Sequence, residues 1–314
     1  MYRFIQIILL AVVCSFSQAQ PQKIINVVFG GTPGGKDVVF RHITSHIEKT
    51  NLNVRFNYDF RPGAGEIIAY NYVSNLSSQT NTIFVTTVNL FVYLDIWNLK
   101  DISVLPMDVV FGPVISTTPN SIIAPANSAI STPGDFVNQI KIAKSNIGGT
   151  FTTKLYHEYI LEKLGADRSF LQFVPYKSGG DGGLAVASQQ IEFANVPAFA
   201  SYSLYKAGKI KIIAIAGDQR LERLPEVPLL RDAIPGAVFT QATILVLPPG
   251  TTTEKVNFYR DLFAPAVNDP DVKKNLDELL TTVTPQLNDP VAARAYVQRL
   301  RDKWQPYAKR IQPE

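Results

Sequence analysis

Apolar positions fall along the chain in two rhythms, one fit for strands and one for helices. Ile24-Ile25-Asn26-Val27-Val28-Phe29 is an apolar, β-branched run and predicts a buried strand. Gly30-Gly31-Thr32-Pro33-Gly34-Gly35 breaks it, and from Asp37 onward Val39, Phe40, Ile43 and Ile47 recur at helical spacing. Leu52, Val54, Phe56, Tyr58 and Phe60 alternate as the buried face of a second strand. The turn Arg61-Pro62-Gly63-Ala64-Gly65 leads into a helix carrying Ile67, Ile68, Tyr70, Tyr72 and Val73, and Thr82–Val88 is a third apolar strand. Residues 24–88 thus read strand–helix–strand–helix–strand, a parallel α/β layer whose ligands belong at strand C-termini.

The same rhythm returns further on. Val109–Ile115 and Ser121–Ala126 read as two strands with Pro119 between them. Thr132 at the N-cap, Pro133 at N1 and Asp135 in the first turn start a helix running through Ile142. Then follow a strand and glycine turn at Ser145–Gly149, a helix at Thr152–Leu164 and a strand at Phe170–Pro175. Tyr176–Gly183 reads as a second glycine-rich loop, with a helix starting at Leu184–Ser188. Ile191–Val196 and Lys209–Ala216 are strands flanking a helix at Pro197–Ala207. Leu224–Gly236 is a proline-broken connection, Ala242–Leu247 one more strand, and Thr251–Val267 and Pro270–Leu280 are helices. The amphipathic helix Asp289–Ile311, with Val297, Leu300, Trp304 and Tyr307, is expected to pack back onto the first domain. No internal repeat is visible.

Length changes this picture little: 314 residues exceed what one core usually holds, so two domains are expected. Hydrophobic residues at 46% and charged residues at 18% are ordinary for a globular chain. The formal charge of +4 is scattered rather than clustered, which points away from nucleic acid and suits attraction of small anions. Residues 1–19 have the anatomy of a secretory signal. Arg3 starts it, Ile5–Val13 is its apolar segment, and Ser17-Gln18-Ala19 resembles an A-x-A cleavage site. Cys14, the single cysteine, leaves with that segment. The mature chain then has no disulfide, thiol nucleophile or thiolate metal ligand, and the bacterial periplasm is its expected compartment.

The chemistry is concentrated in glycine loops. A strand that ends in glycines and opens a helix aims orphan N–H groups and a positive dipole end at one point, an anion site. Gly30–Gly35 is not a true G-x-G-x-x-G, although Asp59 ends the second strand where a ribose-binding acid would sit. Lys177-Ser178-Gly179 has the K-[ST]-G form found in penicillin-recognising enzymes. The only S-x-x-K partner, Ser203-Leu204-Tyr205-Lys206, lies downstream, in the wrong order. His42 and His46, four apart on a helix, could chelate a metal with a distant third ligand such as His157, but a polar shoulder is the simpler reading. Tyr70, Tyr72, Tyr202 and Tyr205 read as packing residues. What remains is a set of N–H-rich loops from two α/β halves, converging on one cleft to hold an anion without chemistry.

An ordered set of segments over almost all the mature chain resembles the Bug-type (TctC-like) extracytoplasmic receptors of tripartite tricarboxylate transporters. The set comprises Pro33-Gly34-Gly35 with Asp37; Arg61-Pro62-Gly63-Ala64-Gly65; Ile147-Gly148-Gly149-Thr150; and Val174-Pro175-Tyr176-Lys177. Ala207-Gly208-Lys209-Ile210, Leu224-Pro225-Glu226-Val227-Pro228, Leu247-Pro248-Pro249-Gly250-Thr251, Asn268-Asp269-Pro270-Asp271-Val272 and Trp304 complete it. The resemblance implies a two-lobed periplasmic-binding-protein fold (type II, Venus flytrap). Lobe 1 would comprise 20–118 and 217–314, and lobe 2 residues 119–216. It implies a carboxylate ligand held by Gly34, Gly35, Thr86, Thr87, Gly149, Thr150, Thr152, Lys177, Ser178 and Asn195, by N–H and hydroxyl bonds to its oxygens. It also implies lobe closure, delivery to a membrane permease, a monomer, and no cofactor, metal or catalysis. Departures from the family pattern concentrate in these loops: Lys36 intrudes before Asp37, and Phe60 precedes Arg61 where Asn is usual. The rival readings are a secreted α/β enzyme acting on a small anion and a sensory receptor without transport.

Overall fold

The computed structural model describes residues 22–33, 36–94 and 102–311. The expected signal segment and the loop residues Gly34 and Gly35 lie outside the described residues. The first apolar run forms strand β1 (Lys23–Phe29), followed by helix α1 (Lys36–Thr50), β2 (Val54–Phe60), α2 (Ile67–Ser74) and β3 (Thr82–Thr87). β1 pairs in parallel with both β2 and β3, as the alternation predicts. Leu52, expected at the head of the second strand's buried face, instead precedes β2 and is exposed. Phe29, Phe40, Phe56 and Phe263 interlock edge-to-face or tilted at 5.6–6.4 Å to make this layer's core.

Helix α3 (Asn89–Leu94) follows β3 almost at once, and β4 runs from Val110 to Pro125. The two strands expected on either side of Pro119 are therefore one. Its first part pairs with β9 (Thr240–Leu247) and with the short β10 (Thr282–Val283). Its last part pairs with β7 (Phe193–Pro197) and β8 (Ile210–Ala216). Pro119 sits where pairing passes from one set of neighbours to the other, so its missing N–H interrupts no continuous ladder. Pro113 is likewise placed at an irregularity, between Phe111 and Val114.

The second half contains α4 (Pro133–Ile142), β5 (Ser145–Gly149), α5 (Lys154–Leu164), β6 (Leu171–Pro175), α6 (Gly179–Ala187) and α7 (Ala198–Lys206). The order across the whole sheet is β2-β1-β3-β9-β4-β7-β5-β6, with β8 and β10 also on β4. Thr132 and Asp135 close a reciprocal capping box on α4, as their spacing predicts. The glycine-rich stretch is not a loop: Gly179, Gly180, Gly182 and Gly183 lie in α6, capped by Ser178. A Cβ on Gly179 would come within 2.9 Å of Pro197 and one on Gly183 within 3.1 Å of Leu204. These glycines let α6 press on its neighbours.

The chain closes with α8 (Thr253–Asn268), α9 (Pro270–Asp277) and α10 (Pro290–Ala308). The tail does not keep to the first half. Ala293 and Val297 join the core around Phe91 and Phe111, whereas Trp304, Ala308 and Ile311 join the core around Tyr156 and Phe239. Its apolar stripe is longer than one half can cover. Trp304 packs 5.2 Å from the Tyr156 ring, which is itself stacked on Phe239 at 4.4 Å. Among the described residues, no helix is long and apolar enough to cross a membrane.

Candidate functional site

Helix α3, which follows β3, touches the turn that follows β5 and the start of α5. Tyr93 Oη, fully buried on α3, donates toward the carbonyls of Phe151 (3.1 Å) and Thr152 (2.9 Å) and accepts from the Leu155 N–H at 3.3 Å. Burial pushes the Tyr93 phenol well above its ordinary pKa, so it stays a donor. Asn89 Nδ2 donates to Tyr156 Oη at 2.7 Å, a second bond between the same elements. The edge that holds Thr86 and Thr87 is thereby tied to the turn that follows Gly149.

On the second half, β5 ends in Gly148-Gly149 and runs into a 3-10 turn, Phe151–Thr153, before α5. A side chain at either glycine would displace a neighbour: a Cβ at Gly149 would lie 2.1 Å from Thr153 Oγ1, and one at Gly148 would lie 2.5 Å from Ile191 Cδ1. Thr153 Oγ1 donates to the Thr150 carbonyl at 2.8 Å and sets the turn. Thr150 and Thr152 place their hydroxyls 3.0 Å apart, and among the described residues no carboxylate is bonded to either. The N–H groups that open the 3-10 turn and α6 have no acceptor within their own helices. Ser178 Oγ accepts the Asp181 N–H at 3.1 Å and donates to Asp181 Oδ2 at 2.9 Å, so its hydroxyl is spent on the cap. Lys177 is exposed beside it.

Asn195, on β7, is buried rather than presented. It accepts from Asn120 Nδ2 at 2.6 Å, at the point where β4 crosses between halves. Among the described residues Asn120 Oδ1 and Asn195 Nδ2 have no partner, and turning both amides over still leaves one NH₂ group unpaired.

The first half differs. Thr86 and Thr87 end β3 and are buried, as the third-strand reading requires. Thr86 Oγ1 donates to Glu66 Oε2 at 2.7 Å, and Lys36 Nζ, at the start of α1, is bonded to Glu66 Oε1. Glu66 was not singled out by spacing or motif. Its backbone is left-handed at φ 79°, the last of a run in which Gly63, Ala64 and Gly65 also have positive φ. A left-handed glutamate costs about 1–2 kcal/mol relative to glycine. The side chain crosses directly over the turn after β1: a Cβ on Gly30 would lie 2.5 Å from Glu66 Cβ and 2.6 Å from its Cγ. Arg61 anchors the start of this run through its N–H to the Phe29 carbonyl (2.8 Å), its Nε to Asp59 (2.7 Å) and its guanidinium over Tyr72 (3.4 Å). Asp59, a candidate ribose acid, is thus committed to Arg61.

The other candidate chemistry does not assemble. His42 is exposed, His46 faces Asp269 at 3.6 Å, and His157 is buried with Nε2 2.7 Å from the Leu171 carbonyl. Among the described residues no group of three or more His, Cys, Asp or Glu is placed to hold a metal. Lys206 lies over the Tyr202 ring at 4.7 Å, and Tyr205 donates to Glu226 at 2.9 Å. Tyr70 is core, its hydroxyl on the Val104 carbonyl.

Comparison with known proteins agrees with this geometry. The sequence model of the tripartite tricarboxylate transporter family receptor, TctC, matches residues 39–311. A protein of Cupriavidus necator, described as the UPF0065 protein in the gbd 5' region, is 26% identical over 267 residues, 82% of this chain and 78% of its own length. The solved structure of the periplasmic binding protein BugD superposes with a TM-score of 0.80 at 20% identity, covering 92% of this chain and 98% of that one. MatC of Rhodopseudomonas palustris, solved with bound malate, superposes with a TM-score of 0.79 at 23% identity, covering 91% and 98%. The fold is the two-lobed one of periplasmic binding proteins.

Proposed function

Because the chain belongs to the tripartite tricarboxylate transporter receptor family, whose members are solute receptors and not enzymes, we propose that it captures a small carboxylate in the cleft between its lobes. It would do so in the periplasm, as a monomer, after removal of a signal segment ending near Ala19. Lobe 1 would comprise 20–118 and 217–314, and lobe 2 residues 119–216. Closure of the lobes would exclude water and present a new surface to the membrane permease of a tripartite transporter.

The observation that carries this reading is the turn after β5. Gly149 gives the backbone room to turn, and Thr150 and Thr152 bring two hydroxyls to the start of a helical turn. N–H and O–H donors at such a point hold a carboxylate by charge-assisted bonds. Ser178, with its hydroxyl committed to Asp181, would contribute its backbone N–H, and exposed Lys177 its charge. MatC, solved with bound malate, holds a ligand of the carboxylate class.

The test is a thermal-shift screen of the mature protein against di- and tricarboxylates, aromatic carboxylates and amino acids. A ligand at ~100 times its Kd stabilises the fold by about 2.7 kcal/mol, an easily read shift. Thr150→Val is expected to weaken that ligand while leaving the unliganded melting temperature in place. An unchanged dissociation constant would remove the Thr150 turn from the site.

A further inference from the structure

The two strand ends that the receptor reading places at the cleft are not equivalent in charge. On lobe 2 the donors of Thr150 and Thr152 have no carboxylate of the chain bonded to them, among the described residues. On lobe 1 the corresponding donors are engaged. Thr86, at the end of β3, gives its hydroxyl to Glu66, and Lys36, at the start of α1, gives its ammonium to the same carboxylate. Gly30 is the only residue type that fits beneath the side chain of Glu66 as it crosses to reach them.

We infer that the Glu66 carboxylate takes the anion position of lobe 1, so that the receptor selects a ligand with a single carboxylate. Resting on the receptor reading above, this assigns the ligand's two ends. Its carboxylate goes to the Gly149–Thr152 turn, and its other end is a cationic or neutral hydrogen-bond donor that meets Glu66. An ω-amino or hydroxy monocarboxylate has this form, and a dicarboxylate does not.

The backbone, the bonding, the charge and the exposure of Glu66 support the assignment. Glu66 holds a left-handed backbone conformation that glycine would adopt without strain, so the side chain is retained against a local penalty. Both carboxylate oxygens are engaged by lobe-1 groups of the kind that would otherwise receive a ligand anion, one hydroxyl and one ammonium. Lys36 supplies one positive charge to this edge and Glu66 cancels it, so a second carboxylate arriving there meets no net attraction and a like charge at close range. The carboxylate is also partly exposed, with 18% of the Glu66 side chain accessible, so it can accept one further bond from a ligand donor.

The experiment is calorimetric titration of the mature protein and of its Glu66→Gly and Glu66→Gln variants. The probes are the straight-chain dicarboxylates from malonate to adipate and the ω-amino acids of matching length. The expected result is that wild type binds an ω-amino acid at least about tenfold more tightly than the dicarboxylate of equal length. Glu66→Gly should reverse that order, and Glu66→Gln, which keeps the shape without the charge, should abolish it. Wild type binding a dicarboxylate as tightly as Glu66→Gly does would overturn the inference and leave the receptor standing. All three proteins folding and ignoring every probe, together with the carboxylate screen above, would overturn the receptor reading itself.

Discussion

The turn after β1 and the turn after β5 stand at equivalent places, each at the C-terminal end of a parallel strand and each built on glycine. At the first, glycine is needed because another part of the chain lies on it: Gly30 has the Glu66 side chain above it. At the second, the tightest obstacle is local: a Cβ on Gly149 would lie 2.1 Å from Thr153 Oγ1, with Phe173 and the Asn195 carbonyl farther off at 3.1 and 3.2 Å. One turn therefore comes with a counter-ion supplied by the protein, and the other comes with hydroxyls. Identical loop chemistry has produced two different electrostatic edges, and the difference lies in a residue 36 positions from the first loop's opening glycine, Glu66 against Gly30.

The largest expected effect comes from filling the second turn. Gly149→Val drives a side chain into Thr153 and the Asn195 carbonyl, and should cost about 2–3 kcal/mol of stability and abolish ligand-induced stabilisation. Urea denaturation with and without ligand reads both; a variant that still responds to ligand would show the second turn to be dispensable.

Gly30→Ala collides with Glu66 and should cost about 1–3 kcal/mol in wild type but well under that in a Glu66→Gly background. The double-mutant cycle isolates this contact. Additive costs would mean that Glu66 does not lie over Gly30 in solution. Glu66→Gly alone should cost about 1 kcal/mol, since relief of the left-handed glutamate offsets loss of the part-exposed ion pair but not the buried Thr86 hydroxyl left without its acceptor.

Tyr93→Phe removes the donor shared by the Phe151 and Thr152 carbonyls and should cost about 1 kcal/mol while loosening the second turn against α3. Ligand affinity should fall along with stability; affinity that holds would separate the turn from the strut.

The smallest effect is in acid. Burial raises the Glu158 pKa, but the His157 hydrogen bond and the Arg168 guanidinium outweigh it and hold it below the usual glutamate value. Arg168 donates to both carboxylate oxygens, at 2.8 and 2.5 Å. A depressed folded pKa contributes stability above the unfolded value, about 4.3, that is lost as pH falls through the folded one. Glu158→Gln should flatten that decline by about 1 kcal/mol or less, Arg168 being largely exposed. Melting temperatures of the two proteins that fall in parallel below pH ~4.3 would show that Glu158 is not linked to the acid limb.

Much of the fold was legible because its elements declare themselves locally. β1, β3 and β8 are rich in β-branched residues, and Thr132 with Asp135 marks the start of α4 two ways at once. The misreadings share a cause. Pro119 looked like a break because a proline's effect depends on which neighbours need its N–H, and β4 changes neighbours there. The glycines of 179–183 looked like a loop because their close contacts with Pro197 and Leu204 come from elsewhere in the chain. The last helix looked like a first-lobe element because an amphipathic stripe does not say that its two ends face different cores. At the site, the glycine turn after β5 was readable from the strand–glycine–helix pattern, whereas Thr150 and Thr152 came from the family resemblance. Asn195 was placed in the right strand but turned out to pair with Asn120.

The sequence by itself determined a two-half α/β chain with glycine turns at strand ends, because strand periodicity, glycine and caps act over a few residues. Its family followed from the order of short segments. Only the tertiary structure decided that one of the two turns is matched with an internal carboxylate. Glu66 carries no local signal of its role, since both the Gly30 surface it crosses and the Thr86 hydroxyl it accepts from are brought to it by strand pairing. Charge at a binding edge is a sum over neighbours in space, and the order of residues along the chain does not fix that sum.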